Sequence, residues 1–248
     1  MEPPKARLGN TDLAVTKLCV GTDWKGKFNL ALGNKILCES FKLGINFWDS
    51  ADNYGTHAYI REAIKKVPRE KVIISTKISS LEVAGAKKDF ENCLKTLSIS
   101  YIDILFLHAI DNISELKTSA KVLDWLQKIK RNNLIRAIGV STHTPKVVGY
   151  LAEIENLDLI LTPFNKKGIE IRGKINDQLD YVKKAVKNGK GVIAMKILGG
   201  GDEDLIDHRE EAIRYVLDIP WFASLCIGIR SLKELKEDFK IIYNKNSF

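Results

Sequence analysis

The chain has 248 residues, of which 45% are hydrophobic and 28% are charged, a mixture typical of a globular protein. No apolar run reaches the roughly 18 residues of a membrane-spanning helix, and residues 1–5 lack the apolar stretch of a signal peptide. We therefore expect a cytoplasmic protein. The formal net charge of +8 is spread along predicted helices. Because no recognised nucleic-acid-binding module accompanies this charge, solvated helix faces explain it best.

Eight short apolar runs predict eight strands. Most are nearly continuous in Val, Ile, Leu and Phe, as expected of parallel strands that are covered on both faces. In chain order they span residues 18–22, 46–51, 72–77, 102–109, 135–141, 157–162, 191–197 and 224–229.

Helical patterns lie between these strands. Apolar residues at 90, 93, 94 and 97, and again at 122, 125, 126 and 129, have the spacing of one helix face. Gly44 and Gly189 follow helical stretches, where left-handed caps are common. Strand followed by helix, eight times, predicts an α/β fold, a single-domain (β/α)₈ TIM barrel over residues 1–248. A doubly wound sheet competes, but no GxGxxG motif follows the first strand.

The four cysteines, at 19, 38, 93 and 226, form no CxxC pair. Most of them lie in apolar strand or helix positions. We expect buried, reduced thiols, in preference to disulfides or a zinc site.

Polar residues at the carboxyl ends of the predicted strands indicate a reaction site, because barrel enzymes react there. Asp49 lies in the second predicted strand and Lys77 in the third. A buried charge is costly unless it is paired, so we expect these neighbours to neutralise each other. His108 ends the fourth strand, and Tyr54 follows Asp49 by five residues.

Together these four residues supply a phenol, an ammonium, a carboxylate and an imidazole. A phenol has an ordinary pKa of about 10, and a nearby ammonium lowers it. Such a tyrosine can protonate a carbonyl oxygen while a hydride arrives at the carbon. Each residue alone has a structural explanation, but all four at successive strand ends favour function.

Five segments resemble the aldo-keto reductase family, and the similarity extends over nearly the whole chain. They are residues 8–15 (LGNTDLAV), 44–55 (GINFWDSADNYG), 74–77 (ISTK), 97–108 (LSISYIDILFLH) and 138–141 (IGVS). The resemblance implies that the chain reduces an aldehyde or ketone to an alcohol. It further implies that Tyr54 is the general acid, that Lys77 and Asp49 tune it, and that His108 positions the carbonyl.

The resemblance also implies a nicotinamide cofactor that is bound without a Rossmann motif. Residues 21–23 and 141–142 would contact the nicotinamide end, residues 195–201 the ribose and pyrophosphate, and residues 229–239 the adenosine end. Trp24 is the candidate wall of the substrate pocket. The implied cofactor-binding residues are Gly21, Thr22, Asp23, Ser141, Thr142, Asn165, Met195, Lys196, Leu198, Gly199, Gly200, Arg230, Ser231, Glu237 and Asp238.

The chain departs from the family pattern at several cofactor positions. Many members have a basic residue where Glu234 stands, an asparagine at Asp238 and an aromatic residue at Met195. Arg230 and the positive net charge nevertheless favour NADPH, with NADH as the alternative. Because the chain stops at Phe248, soon after the last helix, the resemblance implies an open substrate pocket.

Three other functions compete. Lys77 could form a Schiff base in a lyase, although Asp49 would keep its amine charged. The barrel could be a regulatory protein that binds the nucleotide without catalysis. A metal-dependent hydrolase ranks lower, because the histidines show no HxH or HExxH spacing. We expect a small-molecule carbonyl substrate, no nucleic-acid or membrane partner, and a monomer or small homo-oligomer.

Overall fold

A short hairpin and a closed parallel barrel form the sheets of this computed structural model, which describes residues 2–24 and 28–244. The hairpin consists of β1 (Lys5–Arg7) and β2 (Ala14–Thr16). The barrel strands are β3 (Leu18–Gly21), β4 (Phe47–Asp49), β5 (Ile73–Ile78), β6 (Ile102–Leu107), β7 (Ile135–Ser141), β8 (Leu159–Pro163), β9 (Gly191–Met195) and β10 (Ser224–Gly228). Each predicted strand corresponds to one barrel strand, so the predicted barrel is confirmed.

Helices cover the outside of the barrel. They are α1 (Leu30–Lys42), α2 (His57–Ile64), α3 (Val83–Leu97), α4 (Ile113–Thr118), α5 (Ala120–Arg131), α6 (Pro145–Leu151), α7 (Ile175–Lys187), α8 (Glu203–Asp207), α9 (Arg209–Leu217) and α10 (Leu232–Tyr243), with a 3₁₀ turn at Arg69–Lys71. Most residues of the apolar stripes predicted on α3 and α5 are buried, and Leu94 and Trp125 are partly buried. Within residues 2–24 and 28–244, no helix combines the length and the apolar character needed to cross a bilayer.

The prediction for the two glycines is confirmed, and the prediction of buried thiols holds for two of the four cysteines. Gly44 and Gly189 both have positive φ angles, of 83° and 80°, at the ends of α1 and α7. The four cysteines are free thiols, two of them fully buried and two partly so.

The parallel register brings the carboxyl ends of neighbouring strands to one rim. Gly21 at the end of β3 lies opposite Asp49 of β4 and Gly228 of β10. Asp49 in turn lies opposite Ser75 of β5. Residues that end these strands therefore meet at the same level of the barrel, where a site can form.

The hairpin closes the other end of the barrel. Leu8, Leu13 and Val15 are fully buried and join the apolar cluster of inward-facing strand residues. Gly9, at the hairpin turn, has a φ angle of +53°, and a Cβ there would lie 2.3 Å from the backbone nitrogen of Gly191. Glycine therefore permits both the turn and the close approach to β9. The carboxyl-end rim is left as the open end.

Candidate active site

An ion pair links β4 and β5 at the open rim. Lys77 Nζ donates to Asp49 Oδ2 at 2.6 Å and to the carbonyl oxygen of Ser50 at 2.6 Å, while Ser75 Oγ donates to Asp49 Oδ1 at 2.7 Å. Asp49 is 5% exposed and Lys77 is 1% exposed. The predicted pairing of the two charges is confirmed, and it satisfies groups that would otherwise be buried without partners.

Two aromatic side chains lie beside this pair. Lys77 Nζ is 5.0 Å from the centroid of the Tyr54 ring, which stands on the loop after β4. The His108 ring meets the Tyr54 ring edge-on, with 5.8 Å between centroids. The backbone nitrogen of His108 donates to the carbonyl oxygen of Ile78 at 2.9 Å, so β5 fixes the position of the loop after β6. The structure thus brings together all four residues that the sequence singles out.

Burial decides the protonation states of this cluster. Burial raises the pKa of Tyr54 to about 12, against the opposing effect of the Lys77 cation. The lowered pKa expected from the sequence is therefore wrong, although the ammonium acts in the expected direction. Burial, and then the Lys77 cation, lower the pKa of His108 to about 4. Near pH 7 both rings are neutral.

Lys77 keeps its charge in this environment. Burial disfavours the ammonium form and is the largest single effect, but Asp49, Tyr54 and Cys226 together outweigh it and hold the pKa of Lys77 above its usual range. The rim therefore combines a fixed cation with a neutral phenol and a neutral imidazole. Such a set can donate a proton and then stabilise the negative charge that remains on the donor.

A cavity of about 1100 Å³, its mouth included, extends from this cluster across the rim. It passes the loop that follows β9 and ends where α9 and α10 begin. Many of the predicted site residues line it: Gly21, Asp23, Trp24, Asp49, Tyr54, Lys77, Met195, Lys196, Leu198, Gly200 and Arg230.

The loop after β9 has an unusual backbone. Gly199, Gly200 and Gly201 have φ angles of 58°, 72° and 121°, in the region that favours glycine, and Lys196 also has a positive φ angle of 56°. A Cβ added at Gly201 would meet no atom within 4 Å. The loop thus exposes its backbone to the cavity, where a ligand can approach closely.

A scan against known families matches residues 17–204 to the model described as the aldo/keto reductase family. The chain belongs to the aldo/keto reductase family. The family resemblance derived from the sequence is confirmed. The matched residues include all four members of the polar cluster.

Individual relatives of this family member are distant. It is 28% identical over 163 residues to the probable aldo-keto reductase 1 of Glycine max. This alignment covers 57% of this chain and 46% of that protein. It is 25% identical over 191 residues to the NADH-specific methylglyoxal reductase of Escherichia coli (strain K12). This alignment covers 65% of this chain and 59% of that protein. The chain thus spans about half to two thirds of the length of these curated relatives.

Solved structures support the fold. The aldo-keto reductase AKR11C1 from Bacillus halodurans, in its holo form, superposes with a TM-score of 0.83. That comparison covers 100% of this chain and 93% of the other at 20% identity. At this identity the likeness establishes the shared barrel architecture.

Several predicted cofactor residues are buried behind the cavity wall. Thr22 Oγ1 donates to the carbonyl oxygen of Asp49, and Asn165 Nδ2 donates to that of Lys196. Ser141 accepts a hydrogen bond from the backbone of Ala109. Thr142 is also fully buried. The side-chain hydrogen bonds of this group hold the loops in place.

The structure does not support the predicted contact between Asp238 and the cofactor. Asp238 is fully buried and forms two hydrogen bonds with Arg209, at 2.5 and 2.7 Å, so its carboxylate cannot reach a cofactor. Ser231 caps α10 by accepting from the backbone nitrogen of Glu234 at 3.1 Å. Glu237 is exposed and, like Gly199, lies outside the cavity lining.

The cavity also includes residues that sequence reasoning missed. Arg209 lines it from the start of α9, and Cys226 lines it from β10, with its Sγ 3.7 Å from Asp49 Oδ2. Glu234 lines it too, although the sequence marks it only as a departure from the family. A Ser-x-x-Glu capping pattern at Ser231 is the one local signal for Glu234. Arg209 has no such signal, because its partner lies on another helix.

Proposed function

We propose that this protein reduces the carbonyl group of a small molecule to an alcohol with a reduced nicotinamide cofactor. One observation carries the proposal. The Tyr54 phenol, the His108 imidazole and the Lys77–Asp49 pair lie at the same rim, and the cavity opens beside them. Family membership supports the reaction class.

The lining of the cavity fits a nicotinamide nucleotide. Lys196 and Arg230 supply positive charge, and Gly200 and Gly201 expose backbone in the left-handed region. Among residues 2–24 and 28–244, no ion pair engages the ammonium of Lys196. A pyrophosphate is recognised by such cations and by close backbone approach. Apolar side chains, among them Met195, Leu198 and Ile227, offer faces for flat rings.

Tyr54 acts as the general acid in this proposal. With a pKa of about 12, its phenol is fully protonated at neutral pH and has a proton to give. Bound nicotinamide supplies the hydride that adds to the carbonyl carbon. As the carbonyl oxygen gains charge, Tyr54 transfers its proton, and the ammonium of Lys77 stabilises the phenolate that is left.

His108 and Asp49 position the reacting groups. A neutral imidazole has one N–H that can donate to the carbonyl oxygen, and His108 is neutral because its pKa is about 4. Asp49 holds Lys77 in place and keeps it charged. This charge argues against a Schiff-base lyase, since an attacking lysine must be a neutral amine.

Trp24 remains the proposed apolar wall of the substrate site. It lines the cavity and is 3% exposed. Its Nε1 donates to the carbonyl oxygen of Ile229 at 2.7 Å, and its ring stacks on Phe28 with 5.0 Å between centroids. A ring fixed in this way gives the pocket a rigid apolar surface.

The test is a Tyr54→Phe variant. It removes the transferable proton and keeps the ring, so kcat should fall by about 10²- to 10⁴-fold. Binding of the reduced cofactor, followed by nicotinamide fluorescence, should stay unchanged. The readouts are steady-state kinetics with a panel of small aldehydes and ketones, and the fluorescence titration.

Tyr150→Phe is the matched control, because Tyr150 is 45% exposed on α6 and should tolerate the same change without effect. If wild-type protein binds the cofactor but turns over no carbonyl in the panel, and Tyr54→Phe is indistinguishable from it, the chain is a nucleotide-binding regulatory protein. Activity retained by Tyr54→Phe would remove the phenol from the mechanism.

A further inference from the structure

The outer end of the cavity carries a balanced set of charges. Arg209, Arg230 and Glu234 line this end, where α9 and α10 begin. This inference rests on the proposed function. If the nicotinamide ring lies beside Tyr54, the rest of the dinucleotide has to extend past residues 196–201 towards this outer end, so the adenosine ribose approaches these three side chains.

The carboxylate of Glu234 lies at the start of α10, where a bound anion would otherwise be favoured. Glu234 Oε2 accepts a hydrogen bond from the backbone nitrogen of Arg230 at 2.8 Å. The side chain is 29% exposed and faces the cavity from the first turn of α10. The start of a helix attracts negative charge, and here the side chain of Glu234 supplies that charge.

Arg209 has little charge left for a ligand. Its guanidinium forms two hydrogen bonds with Asp238, at 2.5 and 2.7 Å, and lies 3.7 Å from Glu234 Oε2. The charges of Arg209 and Arg230 are equalled in number by those of Asp238 and Glu234, but both carboxylates lie against the Arg209 guanidinium, and Glu234 bonds only the backbone of Arg230. Lys233 and Glu237 are exposed on α10 and lie outside the cavity lining.

We infer that Glu234 makes this protein select NADH over NADPH. The 2′-phosphate of NADPH carries between one and two negative charges, like other phosphate monoesters. It would face the carboxylate of Glu234, whose charge opposes the attraction of the Arg230 guanidinium. The free 2′-hydroxyl of NADH instead donates a hydrogen bond to such a carboxylate. The geometry thus reverses the preference for NADPH that Arg230 and the net charge suggest from the sequence.

The test is equilibrium binding to the whole protein, which needs no turnover. NADH and NADPH are titrated by nicotinamide fluorescence, and 5′-AMP and 2′,5′-ADP by calorimetry. Wild-type protein should bind NADH at least about tenfold more tightly than NADPH, and 5′-AMP more tightly than 2′,5′-ADP.

Glu234→Gln should narrow the NADH preference to less than about threefold. The amide oxygen of glutamine can still accept from the backbone nitrogen of Arg230, so the start of α10 is kept while the charge is removed. Glu234→Lys should reverse the preference, because it replaces the repulsive charge with an attractive one. Glu155→Gln is the matched control: Glu155 is exposed before β8, at the closed end of the barrel, and its variant should keep the wild-type ratio.

The outcomes separate this inference from the proposed function. If wild-type protein binds NADPH as tightly as NADH, or more tightly, the inference is overturned and the proposed function stands. The same holds if Glu234→Gln and Glu234→Lys leave the ratio unchanged, because Glu234 would then be a helix cap alone. If neither dinucleotide binds, both proposals fall together.

Discussion

Two histidines show how strongly single residues respond to burial. His57 is 5% exposed, and its ring nitrogens lie 2.7 Å from Thr96 Oγ1 and 2.9 Å from Thr76 Oγ1. Burial, with a smaller contribution from Lys77, lowers the pKa of His57 to about 4. His108 is neutral for the same reason, but its ring lies against Tyr54 at the rim, so burial shapes the acid–base character of the site and the stability of the fold together.

The stability of the protein should therefore fall in acid. Between pH 6.5 and about 4, the unfolded chain binds a proton at His57 that the folded chain excludes, so the free energy of unfolding decreases as the pH decreases. The loss from this one residue approaches about 3 kcal/mol at pH 4. Urea unfolding across this pH range should show a shallower loss for His57→Gln than for wild type.

His208→Gln is the control for that experiment. His208 is fully exposed, and a backbone hydrogen bond and the charge of Asp204 raise its pKa. In His208→Gln, the free energy of unfolding should decrease with falling pH as steeply as in the wild type. An unchanged slope in His57→Gln would mean that His57 is already protonated in the folded protein.

At the scale of helices and strands, the sequence predicts those features that a local pattern of residues determines. The barrel strands follow from continuous apolar runs, and the Asp49–Lys77 pair follows because consecutive strands are neighbours. The hairpin was not predicted, since β1 is exposed and each of its strands has three residues. The Arg209–Asp238 pair joins α9 to α10 and has no local signature. The raised pKa of Tyr54 depends on burial by many elements at once.

The hairpin also gives a prediction about how the barrel is closed. Alanine at Gly9 would place a Cβ 2.3 Å from the backbone of Gly191, at a φ angle of +53°. Backbone atoms of β9 cannot move aside cheaply, so we expect a loss of about 3 kcal/mol or more in the free energy of unfolding. Chemical denaturation followed by far-UV circular dichroism measures it.

Gly55→Ala separates backbone strain from the steric clash. Gly55 has a φ angle of +69°, but a Cβ there would meet no atom within 4 Å. That variant should lose about 1 to 2 kcal/mol, the cost of a left-handed residue alone. Equal losses in the two variants would show that the hairpin does not press against β9.

At the scale of the whole molecule, the cavity joins segments that are far apart in the sequence. Its lining comes from the ends of β3, β4 and β5, from the loop after β9, and from β10, α9 and α10. The pairing of β10 with β3 closes the sheet into a barrel. A ligand in this cavity therefore contacts the first and the last strands of the barrel together, and its binding energy should stabilise the fold as a unit.

Bound cofactor should consequently raise the thermal midpoint of the entire barrel. NADH at 100 times its dissociation constant adds about 2.7 kcal/mol to the free energy of unfolding, which corresponds to roughly 5 to 10 °C for a chain of this size. Tryptophan fluorescence and far-UV circular dichroism should report the same shift, since Trp24 lines the cavity, Trp48 packs between β4 and α1, and Trp125 and Trp221 lie on an outer helix and loop. Tyr54→Phe should show the same increase, because it binds cofactor normally. A shift seen by one probe and not the other would divide the predicted single domain into parts that unfold separately.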